Sequence, residues 1–69
     1  MRRNPVDSSN ISSIGYDAGS QVLEVEFKSG KVYQYAGVPN DMADQLARAD
    51  SKGRFFGQHI KGRFTTKEV

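Results

Sequence analysis

With 69 residues the chain has room for one domain only. It has no cysteine and one histidine, which excludes disulfide staples and both thiolate and imidazole metal cages. Hydrophobic residues make up 36% and charged residues 26%, a balance that excludes a disordered tail, and no apolar run approaches the roughly 20 residues that span a bilayer.

The start, MRRNPVDSSN, carries two arginines with no apolar segment behind them, so it does not read as a signal peptide; together with the lack of cysteine this points to the cytoplasm. Residues 1–7 are polar, contain Pro5 and read as a mobile arm. Residues 12–16 read as a short strand with Ser12, Ile14 and Tyr16 on one face. Residues 17–20 form a turn in which Gly19 can take a positive φ.

Residues 22–27 are the clearest strand. Leu23, Val25 and Phe27 point one way, and Val22, Glu24 and Glu26 the other. Ser29-Gly30 reads as a two-residue type I′ hairpin loop, and the chain returns over residues 32–36. This register pairs Phe27 with Val32, Glu26 with Tyr33, Val25 with Gln34 and Glu24 with Tyr35. It places Ile14, Tyr16, Leu23, Val25, Phe27 and Val32 on a core face. Tyr33 and Tyr35 fall on the opposite face, beside the two glutamates.

Gly37 ends the strand, and a helix follows from Val38-Pro39, with proline tolerated in the first turn where no amide donor is needed. Met42, Leu46 and Ala49 form its apolar stripe, and it ends near Asp50. Ser51 is the N-cap of a second helix running to about Lys61, weakened by Gly53 and Gly57, with Gly62 just past its end. Phe56 and Ile60 share one face of this helix, Phe55 and His59 another, and Phe64 closes the core behind Gly62. The fold class is α+β: a three-stranded antiparallel meander followed by two helices, one packed on the core face.

The charge is unevenly spread. Residues 1–10 carry +1, residues 11–50 carry −3 and residues 51–69 carry +4, for a net +2. A basic end on an acidic middle fits an anionic partner. Two constellations could serve one. Tyr33 and Tyr35, two apart on a strand, can stack unpaired bases, each stack being worth about 1–3 kcal/mol. The same pair could instead pack against a second layer or a second subunit. In residues 51–64, Lys52, Arg54, Lys61 and Arg63 interleave with aromatic residues, and guanidinium groups fork well onto phosphate oxygens. Phe55, Phe56, Ile60 and Phe64 also suit a core that basic residues merely flank. The lone His59 reads as a packing or surface residue. There is no nucleophile motif and no Walker or Rossmann glycine pattern, so neither an enzyme, a cofactor nor a metal is expected.

Ser8-Ser9-Asn10-Ile11, Ile14-Gly15-Tyr16-Asp17, residues 23–27, Gly30 and Val32-Tyr33-Gln34-Tyr35 resemble the KTSC domain family. Gly37-Val38-Pro39, then Leu46, Ala49, Ser51, Gly53 and Phe55-Phe56, continue the likeness; Gly57 departs from it, since Asn is more usual there. The resemblance covers residues 6–64, with a domain over 8–64 between the arm and a tail at 65–69. The family takes its name from a domain at the C-terminal end of some lysyl-tRNA synthetases, and it also occurs as free-standing bacterial or phage proteins. The resemblance implies an RNA partner. The expectation is therefore a non-catalytic RNA-binding module in which Tyr33 and Tyr35 stack bases and Lys52, Arg54, Lys61 and Arg63 contact phosphates. The rival is a homo-oligomeric protein-interaction module, such as a homodimer, or one that binds a small anionic ligand. No membrane partner is expected.

Overall fold

The alternation over residues 22–27 does what its period of two dictates. Leu23 and Val25 are completely buried, while Glu24 and Glu26 turn to the other side. The computed structural model describes residues 3–69. Its elements are β1 (Arg3–Pro5), β2 (Ile11–Asp17), β3 (Val22–Phe27), β4 (Val32–Ala36), α1 (Asn40–Arg48), α2 (Lys52–His59) and β5 (Thr65–Glu68). The strands form one antiparallel sheet in the order β1-β2-β3-β4-β5.

The class is α+β, but the sheet has five strands where the sequence reading expects three. Both additions fall in segments read as an arm and a tail. β1 lies against β2 with Asn4 opposite Ile14, and β5 lies against β4 with Thr66 opposite Tyr35. Each is short and polar and is recruited by main-chain hydrogen bonds, which leave no apolar alternation to read. Residues 1 and 2 of the expected arm lie outside the described residues.

The β3–β4 register corrects the expected one by a single residue. Val25 faces Tyr33, Leu23 faces Tyr35 and Glu24 faces Gln34. The loop is responsible. The Gly30 amide donates to the Phe27 carbonyl and the Phe27 amide to the Lys31 carbonyl, both at 2.9 Å, which encloses Lys28, Ser29 and Gly30. Gly30 has φ +96°, and Ser29 is not among the residues with positive φ. That is a type I turn closed by a glycine bulge. The type I′ alternative needs positive φ at both central residues, which a serine resists. The slip leaves β3 as predicted but turns β4 over. Tyr33 and Tyr35 join Leu23 and Val25 on the helix-covered face, and Val32 and Gln34 go to the open one.

A bulge at Ser12 makes a second adjustment, since Ile11 faces Phe27 while Ser13 faces Glu26. It turns Ile11 inward, where it is completely buried. The core comprises Ile11, Leu23, Val25, Tyr35, Val38, Leu46, Phe56 and Ile60. Ile14, Tyr16, Phe27, Met42 and Phe64 pack against it.

Pro39 stands at the N-cap of α1, with Leu46 as its buried anchor. Ser51 caps α2 as expected, its hydroxyl accepting from the Arg54 amide at 3.3 Å. α2 ends at His59, about two residues early. The Ile60 and Lys61 amides both reach the Phe56 carbonyl, and Gly62 takes φ +75° to turn the chain toward β5.

On the open face Glu24 is 9% exposed. Its carboxylate accepts from Arg3 Nη1 at 3.1 Å and from Gln34 Nε2 at 2.8 Å, which offsets the cost of removing it from water. Ser13 Oγ donates to Glu26 Oε1 at 2.9 Å alongside. Among the described residues no helix is long and apolar enough to cross a membrane.

Candidate functional site

The three-residue loop and the rolled-over β4 border a concavity. It is a cleft of about 690 Å³ between the hairpin tip, the Gly53–Gly57 side of α2 and the start of β2. Its floor is aromatic. Tyr33 meets Phe27 edge to face at 5.9 Å, Phe27 meets Phe56 at 5.5 Å, and Phe56 meets Tyr35 at 5.2 Å. Such T-shaped contacts set each ring's positive edge on its neighbour's negative face, so the four rings form one continuous packed cluster. Phe56, a core residue, still contributes surface to the cleft, and Ile11 lies completely buried behind its lining.

The rim is polar and positive. Lys28 and Lys31 come from the hairpin loop, and Lys61 comes from the turn after α2. All three are exposed. Among the described residues no aspartate, glutamate or histidine lines the cleft. The like charges of the three lysines add at the rim, while Glu68, paired with Tyr33 across the sheet, sets one carboxylate on the same face nearby. Ser9 and Asn10 form the far lip. The Lys28 amide donates to the Asn10 carbonyl at 2.9 Å, and the Asn10 and Ile11 amides reach Ser8 Oγ at 3.3 and 3.4 Å. The first bond ties the lip to the hairpin tip, and the other two close the turn within the lip itself.

Tyr35 is 5% exposed, and burial, followed by the neighbouring Tyr33 phenol, pushes its hydroxyl above the ordinary tyrosine range. Tyr33 is half-buried. Neither tyrosine is the open-face stacking platform that the two-residue turn implies. Tyr35 is a core ring with an edge in the cleft, and Tyr33 is part of the cleft wall.

Of the six expected binding residues, Tyr33, Tyr35 and Lys61 line the cleft, and Lys52, Arg54 and Arg63 do not. Lys52 Nζ donates to the Ala49 carbonyl at 3.1 Å and Arg63 Nε to the Gln58 carbonyl at 3.2 Å, so both are engaged at helix ends. Arg54 is exposed on α2. His59 is exposed too, its ring 4.5 Å from that of Phe55 and away from the cleft. Lys28, Lys31 and the Phe27–Phe56 pair are the residues the sequence reading misses as a site. The two lysines bracket Ser29-Gly30 in plain view. Read as turn punctuation, they give no sign that the loop borders a cleft.

A small α+β domain with a five-stranded antiparallel sheet, two helices on one face and an aromatic cleft between them is what the coordinates define. The chain belongs to the KTSC family: the KTSC domain model matches residues 7–64. It is similar to the crystal structure of a KTSC domain protein from Yersinia pestis, with a TM-score of 0.96 at 46% identity, covering 99% of this chain and 96% of that one. An uncharacterised protein from Stutzerimonas stutzeri is 48% identical over 61 residues, which are 88% of this chain and 86% of that protein. A lysine–tRNA ligase from Nostoc punctiforme is 38% identical over 63 residues, which are 91% of this chain but 11% of the ligase.

Proposed function

We propose that this domain is a non-catalytic module that binds single-stranded RNA in the cleft. The observation that carries the reading is the composition of its walls: four aromatic rings and three lysines with no carboxylate among them. Bases have apolar faces that stack on aromatic rings, and phosphates need cations, so the combination matches an unpaired strand. Tyr33 and Phe27 offer ring surface; Lys28, Lys31 and Lys61 face the phosphates. Arg54 and Arg63, with Lys52, extend the positive charge along α2 and the turn that follows. The ligase relative adds weight, since a lysine–tRNA ligase acts on a tRNA and carries a region like this one. Among the described residues the cleft is lined by no carboxylate or imidazole, the commonest acid–base groups, and this favours the binding reading. An RNA partner would be met in the cytoplasm.

A second reading rests on the cleft's size. About 690 Å³ lies within the range of small-molecule sites, so a small anionic ligand fits the same walls. The experiment is a titration of a short single-stranded RNA at two salt concentrations, for the wild-type chain and the triple variant Lys28→Ala, Lys31→Ala, Lys61→Ala. Each phosphate contact to a single strand contributes about 0.7 to the salt slope, so removing three lysines should flatten it by roughly 2. A wild-type protein that ignores RNA at low salt would overturn the reading. If light scattering then showed a dimer, the interaction-module alternative would take its place.

A further inference from the structure

α2 carries glycines at 53 and 57, one turn apart and both on the cleft. In a helix each glycine is less favourable than alanine by roughly 1 kcal/mol. At three other positions the backbone requires glycine: Gly30, Gly37 and Gly62 all have positive φ. Gly53 and Gly57 do not. Gly53 is overlaid by the 8–10 loop, since a Cβ there would meet Ser8 Oγ at 3.4 Å and Asn10 Nδ2 at 3.9 Å. At Gly57 a Cβ would meet nothing within 4 Å. Neither conformation nor internal packing calls for glycine at 57. What its missing side chain provides is room in the cleft, next to the aromatic floor.

Building on the RNA reading above, we infer that the cleft admits one unpaired base per domain, laid against the bare backbone of α2, and that Gly57 is the position that lets it in. Three features converge on this. The wall at Gly57 is bare helix backbone with open space where a Cβ would sit, which leaves room for a planar ring. The cleft is also lined by the edge-to-face Phe27–Tyr33 pair, so an entering base finds aromatic surface as well as helix backbone. The three lysines stand on the rim and not on the floor, where they meet the sugar–phosphate chain of a strand whose base points inward. Among the described residues no protein hydrogen bond engages the Tyr33 or Tyr35 hydroxyl, which leaves both able to meet the polar edge of a base. A paired and stacked base in a duplex cannot enter such a cleft.

The test compares wild type, Gly57→Leu and Gly57→Ala against three probes. These are a short single-stranded RNA, the same strand made abasic, and a blunt RNA duplex, each followed by fluorescence anisotropy. Wild type should bind the base-bearing strand roughly 5- to 150-fold more tightly than the abasic one, the span expected for one stacked base, and the duplex no better than the abasic strand. Gly57→Leu should reduce that ratio to about one while keeping the wild-type salt slope, because the lysines are untouched. Leucine and alanine are better helix formers than glycine, so both variants should melt at or above the wild-type temperature. If Gly57→Leu nevertheless fails to fold, the smaller Gly57→Ala decides, and it should lower the ratio at least threefold. Wild-type protein that binds both single strands equally would overturn the base pocket and leave RNA binding standing. So would a Gly57→Leu ratio equal to wild type. Wild-type protein that binds none of the three probes would overturn the RNA reading itself.

Discussion

The register of the β3–β4 hairpin can be tested by replacing each tyrosine with alanine and measuring stability. Tyr35 is 5% exposed, and its ring lies edge to face on Phe56 at 5.2 Å. Deleting a buried aromatic ring costs about 3–5 kcal/mol, of which the ring pair itself accounts for roughly 0.5–1.5. A domain of this length has about 3–10 kcal/mol in total. Tyr35→Ala should therefore remove most of the stability. Tyr33 is half-buried and keeps one ring pair, with Phe27 at 5.9 Å, so Tyr33→Ala should cost about 1–2 kcal/mol. Urea unfolding followed by circular dichroism reads the difference. With a slope near 1 kcal/mol per M, Tyr33→Ala shifts the midpoint down by roughly 1–2 M, and Tyr35→Ala by roughly 3 M or more, or leaves no folded baseline. If both variants unfolded within about 0.5 M of wild type, the rings would be on the open face and the three-residue loop would be wrong.

Two further outcomes follow from the same geometry. Gly30→Ala forces a side chain into φ +96° and should cost about 1–2 kcal/mol in the same urea titration; a neutral result would remove the glycine bulge. The Tyr35 phenol is held above its ordinary value of 10.0, first by burial and then by Tyr33. A raised folded-state pKa means this contribution is intact below pH 10 and is lost as pH rises through the folded value. Stability should fall more steeply above pH 10 in wild type than in Tyr35→Phe, as measured by thermal melts across pH 9–11.5; parallel curves would exclude the desolvation of Tyr35.

How much of this molecule could be read beforehand depends on which force acts at each point. The alternation of residues 22–27, the Leu46 stripe and the Ser51 cap are local signals, and the structure keeps all three. Ser29-Gly30 is ambiguous, because glycine satisfies a two-residue loop and a three-residue one alike; the conformation of a serine decides between them. That single choice turns over all of β4 and moves both tyrosines from an open platform to the lining of a cleft. β1 and β5 carry almost no signal, since a short polar edge strand owes its pairing to a neighbour's backbone. The site is legible in part. Tyr33, Tyr35 and Lys61 are picked out by residue type, but the cleft itself arises from a loop, a helix and a strand start that are distant in sequence, and no local pattern announces their meeting.

The sheet order has a practical side. The family pattern covers residues 7–64, yet the outermost strands at 3–5 and 65–68 lie beyond both of its limits. Cutting the gene at those limits would strip the chain to its three inner strands. It would bare the hydrogen-bonding margins of Ile11–Asp17 and Val32–Ala36 to any passing chain, an invitation to aggregate. It would also take away Arg3 and leave the sheltered Glu24 carboxylate with the Gln34 amide alone. The unit that recurs by pattern is thus smaller than the sheet that covers the margins of Ile11–Asp17 and Val32–Ala36, and grafting or trimming this module should respect the larger one.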